Sequence, residues 1–145
     1  IYTLSLHDAL PISTSLYTDY GHHPSEIAAT LQLAHELNDR VVLVYQPHQN
    51  IRQHEVRERY TDELFMHADE IYWLPTYLTR EDPNLPVLTP EELTRQLTTD
   101  KVHIAQLDEA LWHTIEQQRA RGALVLGMGA GTIDGWLREQ LGRSA

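Results

Sequence analysis

The sequence predicts an α/β fold, a Rossmann-like, mainly parallel sheet flanked by helices, on three observations. Short apolar runs alternate with segments of helical periodicity along the chain, the pattern of β-α crossovers. One run, Arg40–Pro47 (RVVLVYQP), is continuously apolar and rich in β-branched residues, as a strand buried on both faces requires. The helical segments open on explicit start signals: Pro24, the Thr89-Pro90-Glu91-Glu92 capping box and Asp108.

Element by element, Ser15–Tyr20 (SLYTDY) reads as the first strand. Pro24 suits the first helical position, where its missing N–H is harmless, and Glu26 complements the helix dipole. Ile27, Leu31, Ala34 and Leu37 lie on one face of that helix, and Asn38-Asp39 ends it. Arg40–Pro47 is the second strand. A helix from about Gln53 to His67 follows, with Val56, Tyr60, Leu64 and Phe65 inward. Asp69–Pro75 (DEIYWLP) is a third strand, and Thr76–Leu88, with its prolines, an ordered loop. Thr89 caps the next helix. Val102–Leu107 (VHIAQL) is a fourth strand, and Asp108 caps a helix reaching about Arg121. Ala123–Gly131 (ALVLGMGAG) is a fifth strand running into a glycine turn, after which Ile133, Trp136, Leu137 and Leu141 give the last helix its apolar face.

Residues 14–142 thus read as one domain and 143–145 as a tail. The first 13 residues are set aside, because Tyr2–Ile12 (YTLSLHDALPI) matches the translation of a common sequencing-adapter oligonucleotide. The expectation is an assembly artefact there, not a native arm.

Composition narrows the function. The chain has 145 residues, 41% of them hydrophobic, and a formal charge of −10 from 21 acids and 11 bases with histidine neutral. Phosphate backbones and anionic membranes want a basic surface, so neither is the expected partner. There is no cysteine, which excludes disulfides, zinc thiolates and thiol catalysis and fits the reducing cytoplasm. No apolar run approaches the roughly 18 residues of a membrane span.

In open α/β sheets, ligands bind beyond the carboxyl ends of the strands. Three unusual stretches fall there: Asp19–His23 (DYGHH), Gln46–Arg52 (QPHQNIR) and Gly127–Gly131 (GMGAG). The candidate site residues are Asp19, His22, His23, His48 and Arg52. Each has a plainer reading too: Asp19 bonding N–H groups of its own turn, the histidines capping the helix or packing on the sheet, His48 and Arg52 making surface contacts. The glycines run G-x-G-x-G, not G-x-G-x-x-G, and too little chain follows for a ribose-binding acid. They read as close packing points or as places where backbone approaches a ligand. Lys101 is the one lysine, and no G-x-x-x-x-G-K-[ST] segment occurs, so ATP is not held here by a phosphate loop. A metal hydrolase built on His22, His23, His48 and His54 is the less favoured alternative, since no H-E-x-x-H occurs. A non-enzymatic α/β ligand-binding module is another.

The motifs DYGHHPSEI, VVLVYQPHQNIRQ and LVLGMGAGTI together resemble the C-terminal domain of the Mur ligases, over roughly residues 15–142. The resemblance implies a cytoplasmic, ATP-dependent enzyme of peptidoglycan precursor synthesis, with further domains for the UDP-sugar and for ATP and Mg2+. The member nearest in these motifs joins L-alanine to UDP-N-acetylmuramate through an acyl phosphate. A related tripeptide-recycling ligase typically carries phenylalanine and alanine where this chain has Tyr20 and Gly21. Carried over, Asp19 matches a nucleotide-binding acid, His48 and Arg52 match residues lining the amino-acid and acyl-phosphate side of the cleft, and His22 and His23 match motif positions on the substrate side. No catalytic residue and no metal ligand is assigned. The family usually places arginine directly after QPH, where this chain has Gln49, and Asn50 and Ile51 depart as well.

Overall fold

The computed structural model describes residues 10–13 and 15–144. Six strands form one sheet in the order β1-β2-β6-β3-β4-β5. They are β1 Leu10–Ser13, β2 Leu16–Asp19, β3 Val41–Tyr45, β4 Glu70–Trp73, β5 Val102–Ile104 and β6 Leu124–Met128. All neighbours are parallel except the edge pair β1 and β2. The five strands expected from sequence are present, with β5 shorter than VHIAQL. The sixth, β1, falls on residues set aside in the sequence reading. The earlier part of the adapter-like stretch lies outside the described residues.

The helices are α1 Pro24–Leu37, α2 Asn50–Val56, α3 Pro90–Leu93, α4 Glu109–Ala120 and α5 Ile133–Ser144. The chain moves from β2 past the later β6 position to β3, β4 and β5, then reverses to insert β6 between β2 and β3. Right-handed crossovers place helices of the outward run on one face and those of the return on the other. Two apolar clusters follow. One joins Ile27, Leu31 and Ala34 of α1 to Val41, Leu43, Leu124 and Leu126; the other joins Leu111, Ile115, Ile133 and Leu137 to Leu16, Val42, Val44 and Val125. β3 and β6 are buried along their whole length, as their unbroken apolar runs anticipate. Leu37, expected on the inner face of α1, is instead 56% exposed.

The expected helix Gln53–His67 differs most. It starts earlier, at Asn50, and stops at Val56 in a 3-10 turn, Arg57–Arg59. Beyond it, side chains compete for the backbone: the Thr61 hydroxyl accepts the Leu64 N–H at 3.4 Å, and the Asp62 carboxylate accepts the Thr98 N–H at 3.1 Å. The break frees Tyr60 and Phe65 to enter an aromatic cluster with Tyr45 and Trp73. Tyr45 and Tyr60 both meet the Trp73 ring edge-on at 4.9 Å between centroids, the geometry that favours aromatic pairs. The three start signals hold: Pro24 opens α1, Thr89 forms its capping box, and the Asp108 carboxylate accepts the Leu111 N–H; the capping box of His23 with Glu26 was not foreseen.

Candidate functional site

Because β2, β6 and β3 are neighbours, their carboxyl ends meet. The Gly129 N–H donates to the Asp19 carbonyl at 3.0 Å, and the Gln46 N–H donates to the Met128 carbonyl at 2.9 Å. Asp19 is 2% exposed. One of its oxygens accepts the Gly21 N–H at 2.8 Å, the other the Thr30 hydroxyl at 2.7 Å. Its carboxylate therefore pins the turn to α1. His23 is the N-cap of α1: its Nδ1 accepts the Ser25 N–H at 3.3 Å, while the Glu26 carboxylate accepts the His23 N–H at 3.2 Å. The plainer reading of both residues is thus satisfied inside the fold.

His22 turns the other way. Its Nδ1 lies 3.2 Å from the Tyr20 carbonyl, which can only accept, so that nitrogen carries the proton. Its ring is 5.6 Å from that of His48. His48 in turn stacks on Tyr77 at 5.5 Å and 15°. Burial, then the neighbouring His22 and the Arg52 cation, hold the His48 imidazole below the usual histidine pKa, with Glu81 opposing them. Between His48 and Arg52 the chain turns through Gln49 at φ +65°, a left-handed conformation uncommon for a residue with a side chain. The Gln49 side-chain oxygen accepts from Arg52 Nε at 3.4 Å, and its amide nitrogen donates to the Thr79 hydroxyl at 3.1 Å. His22, His48 and Arg52 are therefore gathered on one rim, while Asp19 is buried beside it and the His23 side chain is engaged in the α1 cap.

The glycine turn closes the other side. A Cβ on Gly131 would stand 2.5 Å from Tyr77 Cγ, and one on Gly129, at φ +155°, 2.8 Å from the Gln46 carbonyl oxygen. These glycines serve close packing, the first of the two roles expected. Gln46 is 5% exposed and ties the end of β3 to the start of α5, donating to the Thr132 hydroxyl at 2.9 Å and accepting the Ile133 N–H at 3.2 Å. Asn50, a departure from the family pattern, is buried and holds the ordered loop, donating to the Pro86 carbonyl at 3.0 Å and accepting the Leu88 N–H at 2.8 Å.

Buried polar atoms with no hydrogen-bond partner are uncommon in folded proteins, and each calls for an explanation. Among the described residues these are His48 Nδ1, Thr76 Oγ1, Asp134 Oδ1 and Trp73 Nε1. The first three belong to segments at the carboxyl edge; Trp73 is in the aromatic cluster. A groove of about 350 Å³ lined by Gln32, Arg59, Met66 and His67 contains none of these atoms, nor does one of about 290 Å³ beside β5 lined by Tyr72, His103 and Thr114. His54, in the four-histidine metal alternative, places Nε2 2.8 Å from the Pro86 carbonyl. Among the described residues no three His, Asp or Glu side chains converge to hold a metal ion.

Sequence reasoning passed over Tyr77, Thr76 and Gln53. Tyr77 and Thr76 are in a loop, where periodicity is silent, and Gln53 is a polar residue buried on α2, which an apolar pattern does not mark. The one available signal was Gly131, whose missing Cβ leaves room for a ring.

The chain is an α/β domain with a mainly parallel sheet whose reversal point brings two histidines, an arginine and a glycine turn to one edge. The family model described as Mur ligase, glutamate ligase domain, matches residues 10–131, and the chain belongs to that family. It is 33% identical over 134 residues to UDP-N-acetylmuramate–L-alanine ligase of Rickettsia felis, covering 86% of this chain and 27% of that protein. With the ligase of the same name from Thermobifida fusca it shares 34% identity over 129 residues, covering 82% and 27%. The chain thus spans about a quarter of the length of these relatives. Its fold matches UDP-N-acetylmuramate–alanine ligase MurC of Thermotoga maritima with a TM-score of 0.58 at 19% identity, over 95% of this chain and 29% of that one. A murein peptide ligase from Psychrobacter arcticus matches with a TM-score of 0.54 at 20% identity, over 94% and 29%.

Proposed function

We propose that this domain belongs to a cytoplasmic, ATP-dependent ligase that joins L-alanine to UDP-N-acetylmuramate in peptidoglycan precursor synthesis. Its part is to present the amino acid to the acyl phosphate. The observation that carries this is the rim that brings His22, His48 and Arg52 together, in which His48 Nδ1 is buried without a hydrogen-bond partner. A guanidinium offers a planar fork to a carboxylate or a phosphoryl group. Here one edge of that fork is steadied by Gln49, the residue that replaces the family arginine. In this reading His22, His48 and Arg52 face the substrate, while Asp19 and His23 shape the turn beside it. Asp19 is 2% exposed and its two oxygens already accept from Gly21 and Thr30, so a ribose hydroxyl would donate to it only on opening of that turn.

No G-x-x-x-x-G-K-[ST] segment occurs in the sequence, and no group of three or more metal-holding side chains occurs among the described residues. No step is assigned to ATP or Mg2+ here. The reading has the rest of the enzyme supply both, so the 145-residue chain alone is expected to show no turnover.

The test is Arg52→Ala in an enzyme carrying this domain together with its UDP-sugar and ATP domains. Loss of a charge-assisted contact at a desolvated site should lower kcat/KM for the amino acid by about tenfold or more, with the KM for ATP unchanged. Unaltered kinetics would remove Arg52 from the site. Offering free L-alanine and a tripeptide as competing amines separates the L-alanine reading from a tripeptide-recycling one.

A further inference from the structure

Beneath the rim runs a line of buried hydroxyl and amide groups. Tyr45, Gln53 and Tyr60 are each fully buried. The Gln53 amide nitrogen donates to the His48 carbonyl at 3.1 Å, the Tyr60 hydroxyl donates to the Gln53 side-chain oxygen at 2.6 Å, and the Tyr45 and Tyr60 hydroxyls lie 2.8 Å apart. Counting protons gives the line a direction. The His48 carbonyl can only accept, so the Gln53 NH2 must face it. The Gln53 oxygen then faces Tyr60 and takes that residue's single proton. Tyr45 must therefore donate to Tyr60, and its longer contact to the His22 carbonyl, 3.4 Å, competes for the same proton. Burial pushes the Tyr60 phenol up to about 12 and raises Tyr45 well above its ordinary value, so both stay protonated at any working pH.

The carbonyl at the end of this line belongs to the residue just before the left-handed Gln49. A side-chain-bearing residue at φ +65° needs its neighbours to hold it there. The peptide held by Gln53 sets the N–H of Gln49 toward the Tyr77 carbonyl, 2.8 Å away, and opens α2, on whose first turn Arg52 lies. We infer that Tyr60 and Gln53 are positioning residues for His48 and Arg52: Gln53 orients the His48 carbonyl, and Tyr60 orients Gln53. This rests on the rim reading above and deepens it, because it names what sets the aim of the substrate-facing side chains.

The test is Tyr60→Phe against Tyr45→Phe in this chain. Each removes one hydroxyl and keeps the ring that packs against Trp73. Both should lower the melting temperature by a similar amount. Only Tyr60→Phe frees the Gln53 amide, so only it should shift the NMR resonances of the His48 ring and the Arg52 Nε–H in the fully folded protein. It should also weaken binding of inorganic phosphate, the probe for the rim, by about fivefold or more. Gln53→Met, which loses both bonds at similar length, should reproduce the pattern, and it decides the matter alone if Tyr60→Phe does not fold. A purely structural role predicts lower melting temperatures with His48 and Arg52 unmoved; that result, or equal shifts in Tyr45→Phe, overturns the assignment. Should the parent chain bind no phosphate while the Tyr60→Phe shifts still occur, the positioning role stands and the anion-facing reading of the rim fails.

Discussion

On the face covered by α1 and α2, polar side chains reach into the interior and end on the strand tips: Thr30 on Asp19, and Tyr60 through Gln53 on His48. On the face covered by α4 and α5, Leu16, Val42, Val44 and Val125 meet Leu111, Ile115, Ile133 and Leu137, and hydrogen-bonded amides sit toward its two ends, at Gln46 and Gln118. The two kinds of contact do different work. Packing fixes how far a helix stands from the sheet but is indifferent to direction. Hydrogen bonds fix direction, because a misaligned one is lost while its groups stay desolvated. The face beneath His48 and Arg52, the residues proposed to meet the substrate, is the one whose buried hydrogen bonds end beside them.

The sharpest way to break this comparison is at the glycine turn, where both faces meet the rim. A Cβ at Gly129 would stand 2.8 Å from a backbone oxygen of Gln46, at a φ of +155°. Backbone cannot yield as a side chain can, so Gly129→Ala should destabilise by on the order of 3 kcal/mol, lowering Tm by on the order of 10 °C. At Gly127 the added Cβ would meet Leu137 Cδ1 at 2.5 Å, the movable end of a side chain. Gly127→Ala should therefore lose only about 1–2 kcal/mol. Thermal melts of the pair check this, and equal losses would mean that the packed face is as rigid as the backbone around the turn.

A smaller effect is expected at Thr30. Thr30→Val removes the hydroxyl that donates to the buried Asp19 carboxylate at 2.7 Å and keeps the shape. Urea unfolding should show a loss of about 2 kcal/mol, the value of a hydrogen bond to a charged group. Thr30→Ser, which keeps the donor, should lose less. If valine were as stable as threonine, Asp19 would not depend on that bond, and the polar face would be less directional than it looks.

Much of this was legible in the sequence because it is written in local patterns. Continuous apolar runs give β3 and β6, and the start signals at Pro24, Thr89 and Asp108 each mark a helix start. The rule that loops gather at the carboxyl edge brings His22, His48 and Arg52 together from stretches far apart in the chain. What escaped is set by contacts across long separations. The helix after β3 ends at Val56 because Thr61 and Asp62 bond backbone groups and the Tyr60 ring is drawn into the aromatic cluster. Tyr77 belongs to a loop whose shape is fixed by Asn50 bonding Pro86 and Leu88. Neither leaves a periodic trace. His23 and Asp19 were found as unusual residues, yet their side chains turn out to be engaged in a cap and a turn, which residue type alone does not reveal.

The smallest effect belongs to His48, and its sign follows from the pKa. Burial, then His22 and Arg52, lower it from 6.5, against the pull of Glu81. A histidine lowered in the folded state binds fewer protons there than in the unfolded chain, so stability rises with pH across the interval between the two values. Its contribution is fully present above about pH 6.5 and is lost as pH falls through the lowered folded value. Urea unfolding at pH 7.5 and pH 5 should therefore show a stability loss on acidification that is smaller in His48→Gln, with the carboxylates, Glu81 among them, common to both proteins. Arg52→Ala should reduce the loss only in part, since it removes one cation and leaves the burial. A loss equal in all three proteins would mean that the ring and the guanidinium do not share the rim.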